Sequence, residues 1–322
     1  MTPEEVVAWE AENRQRAAFA AFAAATLTIV GVLLTTLGQP SSSKFDDKIV
    51  TVVDAMGRTA AGQPIPPGRI SAFATDVGQH PVVPIAGAIL YGLGSMAIFF
   101  AMAFLFRATR ARRPSMHQIA LVMAAVGSVG FGVGRAVSEV ARYIGAHNFV
   151  DAVDKTNSAA ADALSPTATL VGQLIWEASA LALGFAIAMI SLNAMRVGLL
   201  SRFMGVMGVI VGVAVAPILP IDQQGIIRVF WLAALGVLFL GRWRNTPKAW
   251  VTGEAEPWPT QQQLREARDA ARAQREPDAP RSGGGSAPKP PPPAAPSPRR
   301  PDAAAPGSEH SASKKKRRKR RS

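Results

Sequence analysis

The sequence predicts an all-α protein, a polytopic membrane bundle of six transmembrane helices followed by a disordered basic C-terminal tail. Six apolar stretches approach the roughly 20 residues that a helix needs to cross a hydrocarbon core of about 30 Å. The mean hydropathy is +0.16, yet the chain contains 25 Pro and a net charge of +13, so two unlike parts are joined. Residues 242–322 hold 19 Lys and Arg against 8 Asp and Glu, while residues 1–241 hold 16 against 14. The excess positive charge therefore belongs to the tail.

The apolar stretches set the predicted boundaries. In chain order they cover residues 17–38, 84–106, 117–137, 168–192, 203–219 and 226–241. The last two are short, and Pro217 and Pro220 are expected to end the fifth helix because proline lacks the backbone donor. The predicted domains are a membrane domain over 1–241, a juxtamembrane segment with a charged helix over 242–276, and a linker with a polybasic tail over 277–322.

Composition and motifs exclude several kinds of site. The chain has no cysteine, which excludes disulfides and thiolate chemistry. The four histidines are scattered and no catalytic motif is present, so we predict no catalytic residue, no metal site and no cofactor. An acidic start with Glu4, Glu5, Glu10 and Glu12 argues against a cleaved signal peptide, and the first apolar stretch is interpreted as a retained span.

The positions of the basic residues predict the orientation in the membrane. Lys and Arg in short loops favour the cytoplasmic side. The loops and the terminus assigned to that side carry Arg14, Arg16, Arg107, Arg110, Arg112, Arg113, Arg196 and Arg202. The N and C termini are then both cytoplasmic.

The outer segment 39–83 is expected to contain an amphipathic helix. Apolar residues recur at helical spacing: Phe45, Ile49, Val52, Val53 and Met56. This pattern predicts a helix that lies on the bundle or on the lipid headgroups. Prolines separate it from a second short piece over 69–78.

The fourth predicted span contains one carboxylate, that of Glu177. A charged group in hydrocarbon is costly unless it is paired, so a partner is expected. Glu177 shares a narrow stripe with small and polar residues, namely Gln173, Ala180, Gly184, Ala188 and Ser191. By depth, Arg135 on the third helix is the predicted partner. The predicted intramembrane charge cluster is Arg135, Glu139, Arg142, Gln173, Glu177 and Arg228, with Asp222 nearby. A structural lock is favoured, and an ion or ligand site is the alternative.

Glycine spacing predicts close helix crossings. Small residues lie four apart at Gly130 and Gly134, and again at Gly208 and Gly212. Packing within the chain is the favoured interpretation, with a homo-oligomer through these Gly-rich faces as the alternative.

An internal repeat is also indicated, because a shift of 85 residues aligns Pro81 with Pro166, Gly87 with Gly172, Tyr91 with Trp176, Phe100 with Phe185, Ala103 with Ala188 and Gly127 with Gly212.

The tail has three parts. Trp243, Trp250 and Trp258 suit the headgroup region, where an indole buries its ring and hydrates its N–H. A charged, Ala-rich helix is predicted next, followed by a Gly, Ser and Pro linker that cannot form a core. The chain ends in eight basic residues, Lys314, Lys315, Lys316, Arg317, Arg318, Lys319, Arg320 and Arg321. Their predicted partner is anionic lipid or, as an alternative, nucleic acid; a solvated tail without a dedicated partner is the third interpretation.

Two segments carry a family resemblance. Residues 193–208 read NAMRVGLLSRFMGVMG, and the segment after the last span begins GRWRNTPKAWVTGEAEPWP. Together they resemble a group of uncharacterised multi-pass membrane proteins from GC-rich actinobacteria. The resemblance implies a bacterial cell membrane as the location and carries no activity with it.

These observations favour a non-enzymatic interaction or scaffold protein in the lipid bilayer, whose polybasic tail binds a polyanion. The alternative is a small-solute or ion transporter that uses Glu177 and Arg135. The two differ in what Glu177→Gln should do: a transporter should lose flux while still folding, whereas an interaction protein should be indifferent.

Overall fold

The computed structural model describes residues 2–40, 44, 51–64, 67–216, 225–243, 246–259 and 261–275. Within these ranges the regular secondary structure is entirely helical. The helices are α1 (Pro3–Leu37), α2 (Val52–Ala60), α3 (Arg69–Gln79), α4 (Val82–Arg112), α5 (Ile119–Val150), α6 (Asn157–Leu164), α7 (Thr167–Arg196), α8 (Arg202–Val215), α9 (Ile226–Phe239), α10 (Ala249–Thr252) and α11 (Gln261–Arg275). The chain divides into a compact unit over Met1–Leu264, which extends past the predicted boundary at 241, and a second unit over Arg265–Ser322.

Four helices are long and apolar enough to cross a membrane, namely α1, α4, α5 and α7. They coincide with the first four predicted spans. The fifth and sixth predicted spans correspond to α8 and α9, which have 14 residues each. Fourteen residues rise only about 21 Å, which is less than a hydrocarbon core of about 30 Å. A six-span topology is therefore a proposal, and the structure supports a membrane protein with four candidate spans.

The six apolar helices form a ring around one core. α1 packs on α4 and α9, α4 on α5, α5 on α7, and α7 on α8, while α8 also meets α9. Trp231, Phe106 and Phe239 are among its largest fully buried side chains. Following the predicted orientation, we call the end with the start of α1 and the end of α4 the inner end, and the end with α3 and α6 the outer end.

The α1 and α4 helices meet along two stripes of small residues. Buried positions recur every three or four residues along α1 at Ala17, Ala21, Ala24, Thr28 and Gly31, with Glu10 two turns before Ala17, and along α4 at Gly87, Tyr91, Gly94, Ile98, Ala101, Leu105 and Ala108. The backbones approach so closely that a β-carbon at Gly31 would lie 2.6 Å from the backbone N of Tyr91. Only glycine fits such a crossing.

The α5 and α7 helices repeat this crossing. A β-carbon at Gly134 would lie 2.5 Å from the backbone N of Trp176, and one at Gly172 would lie 2.6 Å from the backbone N of Ser138. In the α1/α4 pair, a β-carbon at Gly87 would likewise lie 2.7 Å from the backbone N of Thr35. The pairs α1 with α4 and α5 with α7 therefore cross in a similar way, whereas the predicted repeat matched α4 and α5 with α7 and α8.

The predicted glycine pairs also pack within the chain. Gly130 faces the Ser179 side chain of α7, Gly208 faces Ser191 and Trp231, and Gly212 faces the Gly184 carbonyl. These faces of α5 and α8 are therefore occupied by neighbouring helices of the same chain, as the favoured interpretation expected.

A small cap covers the outer end. α3 packs on α5 and α6, and Gly78 lies against the Ala146 backbone. The amphipathic helix predicted around 45–56 is described only from Thr51 onward, as α2, because Phe45 and Ile49 lie outside the described residues. Val53 and Met56 are 78% and 68% exposed, so this part of α2 does not use its apolar face to cover the bundle.

The segment after α9 folds back onto the inner end. Trp250 is only 2% exposed, and its indole N–H donates to the Leu199 carbonyl at 2.8 Å. Trp243 is half-buried against the core. The expectation that all three indoles lie among headgroups is wrong for Trp250, because its ring and its donor both find partners inside the protein.

Candidate functional site

The outer end of α5 holds a three-residue ion cluster. Arg135 Nη2 lies 2.9 Å from Glu139 Oε1, and Arg142 Nη2 lies 2.5 Å from Glu139 Oε2. Spacings of four and three residues place the three side chains on one helix face, as the sequence predicted. The Glu139 side chain is 7% exposed, whereas those of Arg135 and Arg142 are 36% and 32% exposed. Glu139 is thus a nearly buried carboxylate held by two arginines that reach solvent.

A small cavity opens beside this cluster between α5 and α7. Its volume is about 160 Å³, and it is lined by Arg135, Ser138, Glu139, Arg142, Thr169, Gln173 and Trp176. Two cations and one carboxylate leave the lining with a formal charge of plus one. The cavity has the size and charge to hold a small anion, although its own carboxylate already engages both arginines.

Glu177 is not the partner of Arg135. Its Oε1 accepts a hydrogen bond from Gln173 Nε2 at 2.9 Å, one turn away on the same helix. The Glu177 side chain is half-buried and lies outside the cavity lining. The predicted ion pair between Arg135 and Glu177 is therefore wrong. Glu139, four residues after Arg135 on α5, pairs with the Arg135 guanidinium instead, and Glu177 is hydrogen-bonded to the neutral Gln173.

Arg228, the remaining residue of the predicted cluster, contacts the same aromatic ring as Arg135, that of Tyr91. Arg228 donates from Nη2 to the Tyr91 hydroxyl at 2.8 Å, and its guanidinium lies over the rings of Tyr91 and Phe131 at 5.5 and 5.1 Å. Arg135 lies over Tyr91 and Trp176 at 5.9 and 5.4 Å. Tyr91 therefore stands between the two arginines. Asp222, proposed nearby, lies outside the described residues.

The inner end holds an ion pair that the sequence reasoning missed. Arg112 reaches Glu10 through two contacts, Nη1 to Oε1 at 2.5 Å and Nη2 to Oε2 at 3.1 Å, and also donates to the Ala249 carbonyl. The two side chains are 0% and 2% exposed. Trp250 lies beneath, with the guanidinium carbons of Arg14 and Arg112 at 5.1 and 5.9 Å from its ring centre. One cluster thus joins α1, α4 and α10.

A sequence signal for this pair existed. Glu10 lies two helical turns before Ala17 on the buried stripe of α1, and Arg112 lies one turn after Ala108 on that of α4. A charge that falls in register with a buried small-residue stripe indicates a buried partner.

Comparison with protein-family models, with curated proteins and with solved structures found no match. The function therefore has to follow from the residues of this chain. Among the described residues, no group of three or more His, Asp or Glu is placed to hold a metal ion. The predicted polyanion site at 314–321 lies outside the described residues.

Proposed function

We propose that the chain is a bacterial membrane scaffold, a non-enzymatic protein that holds its basic tail at the cytoplasmic membrane surface, where the tail binds anionic lipid. The observation that carries this proposal is the attachment of the post-membrane segment to the inner end of the bundle. With both termini cytoplasmic, the tail starts from a fixed platform at the membrane surface.

The platform is made by hydrogen bonds to the α7–α8 turn. Trp258 donates its indole N–H to the Leu200 carbonyl at 2.8 Å, and the Glu256 backbone N–H donates to the Val197 carbonyl at 3.1 Å. Arg202 donates to the Pro259 carbonyl. Contacts continue at every few residues from Ala249 to Pro259, so the chain is held as far as the start of the charged segment.

The linker and the basic run suit contact with the same membrane. Residues 276–313 have the Pro-, Gly-, Ser- and Ala-rich composition of a linker, and they tie the basic run to the segment held at the inner end. Each basic residue near an anionic leaflet contributes about 1 kcal/mol, and eight are consecutive. Lipid is favoured over nucleic acid because the tether keeps the charges close to the leaflet.

A single label on the tail tests this proposal. Since the chain has no cysteine, Ser311→Cys gives one attachment site for a spin label in the full-length protein. We expect immobilisation in nanodiscs containing phosphatidylglycerol, release in 0.5 M salt, and no immobilisation in phosphatidylcholine alone. The matched control replaces the eight basic residues from 314 to 321 by Gln and should remain mobile in both. A label that stays mobile on anionic nanodiscs but is immobilised by added RNA would reject lipid in favour of nucleic acid.

Transport is the second candidate, and the outer cavity is the observation that favours it. Two arginines facing a 160 Å³ space fit a small anion, so uptake of phosphate and acetate into proteoliposomes is the appropriate assay. Arg135→Gln and Arg142→Gln, in protein that still folds, should then reduce uptake, because each removes a cation that faces the cavity. The scaffold proposal expects no uptake by the unmodified protein.

A further inference from the structure

A groove runs between the inner halves of α1 and α4, away from the outer charge cluster. The cavity in it has a volume of about 620 Å³. Its floor consists of small side chains, Ala17, Ala20, Ala23, Ala97 and Ala103. We call this feature the α1/α4 groove.

The groove follows from two stripes in the sequence. On α1 its lining residues recur at steps of four and three, namely Trp9, Asn13, Arg16, Ala20 and Ala23, and on α4 they recur at Phe100, Ala103 and Arg107. Alanine at the floor positions leaves a valley that larger side chains would fill. Phenylalanine at its edges deepens it.

The part of the groove nearer the outer end is apolar. Phe19 and Phe100 line it and are 76% and 62% exposed. Both lie on helices that have the length and composition of membrane spans. Aromatic side chains this exposed suit contact with acyl chains rather than water.

The end of the groove nearer the inner end of the bundle is cationic. Arg16 and Arg107 line it, both are exposed, and within the described ranges neither forms a hydrogen bond or an ion pair. Arg107 also lines an adjoining cavity of about 380 Å³ with Trp9 and Arg110. The two linings contain no acidic residue.

The nearest carboxylates do not neutralise this end of the groove. Glu10 is engaged by Arg112, and Glu12 is exposed and lies outside both linings. Two cations without a countercharge at the predicted cytoplasmic headgroup level, below an apolar valley, match a phosphate with acyl chains above it.

We propose that the α1/α4 groove binds one anionic glycerophospholipid of the inner leaflet, with its phosphate between Arg16 and Arg107 and an acyl chain over the alanine floor. A zwitterionic lipid is disfavoured because its cationic headgroup would lie beside the two arginines. This site belongs to the membrane domain and does not depend on the basic tail.

Native mass spectrometry of the full-length protein with phosphatidylglycerol tests the site. The wild-type protein should retain one phosphatidylglycerol molecule through detergent exchange and should not retain phosphatidylcholine. Because one basic residue near anionic headgroups contributes roughly fivefold in affinity, Arg16→Gln with Arg107→Gln should weaken retention by about 25-fold. Equal retention of the two lipids by the wild type would overturn the proposal.

Matched variants separate the groove from total charge and from the tail. Arg196→Gln with Arg265→Gln removes two exposed arginines elsewhere and should keep the lipid, as should a chain ending at residue 313. Ala103→Leu fills the valley without changing charge and should reduce retention, whereas Val126→Leu on an exposed face should not. Equal loss in the Arg196 and Arg265 control, or loss only on tail removal, would show that the groove is not the site.

Discussion

The two ends of the bundle both carry arginine–carboxylate pairs, but they use them differently. At the inner end, Arg112 and Glu10 are sealed from solvent, lie 102 residues apart in the chain and come from two different helices. At the outer end, Arg135, Glu139 and Arg142 belong to one helix, and both arginines reach solvent. A buried pair between elements fixes which helices meet, whereas a pair within one helix leaves the tertiary arrangement open. The lock that the sequence suggested at Glu177 is therefore found at the other end.

The largest expected effect comes from breaking the inner pair. Glu10→Gln leaves the Arg112 guanidinium buried without a countercharge and should cost about 3 to 5 kcal/mol, or roughly 10 °C in Tm. Thermal unfolding in detergent measures this. The matched control is Glu12→Gln, which changes an exposed carboxylate on the same helix and should leave Tm nearly unchanged. Equal Tm values for the two variants would contradict the role given to the inner pair.

The next effect tests whether the two hairpins are equivalent. Gly31→Ala and Gly134→Ala each push a β-carbon against the backbone of the partner helix, and overpacking of this kind costs about 1 to 3 kcal/mol. The two losses should be similar because the crossings are similar. Gly57→Ala in α2, where nothing lies within 4 Å, is the control and should not destabilise the protein. A loss at only one of the two crossings would refute the equivalence.

A smaller effect is expected where the post-membrane segment joins the inner end. Trp250→Phe keeps an aromatic ring between Phe104 and Phe239 but removes the hydrogen bond to Leu199, which should cost about 1 kcal/mol. Limited proteolysis of the segment after α9 should accelerate accordingly. Trp258→Phe removes a bond of the same length at a more exposed site and should cost less.

The smallest effect is expected at the outer end. Arg135→Gln removes one of two cations from Glu139 and should change stability by less than about 1 kcal/mol, because Arg142 remains and the lost pair is partly solvated. The difference from wild type should shrink further in 0.5 M salt. A loss of stability as large as that of Glu10→Gln would show that the outer cluster stabilises the fold as strongly as the inner ion pair does.

The local features of the site were predictable and the long-range ones were not. The shared face of Arg135, Glu139 and Arg142 follows from helix periodicity alone. The partner of Glu177 was assigned from depth, but depth does not tell which of two carboxylates a guanidinium reaches when one lies four residues away on its own helix. The burial of Trp250 was unpredictable because it depends on the Leu199 carbonyl, which lies in a turn 51 residues away.

The sequence by itself determined the helical class, four membrane-length helices, the small-residue faces and the charge of the tail. Each of these is a property of composition or of spacing within one segment. Only the tertiary structure decided that Glu10 meets Arg112, that the hairpins α1 with α4 and α5 with α7 share one crossing, and that the chain after α9 returns to the bundle. The physical reason is that these contacts depend on the antiparallel register between distant helices, which no single segment encodes.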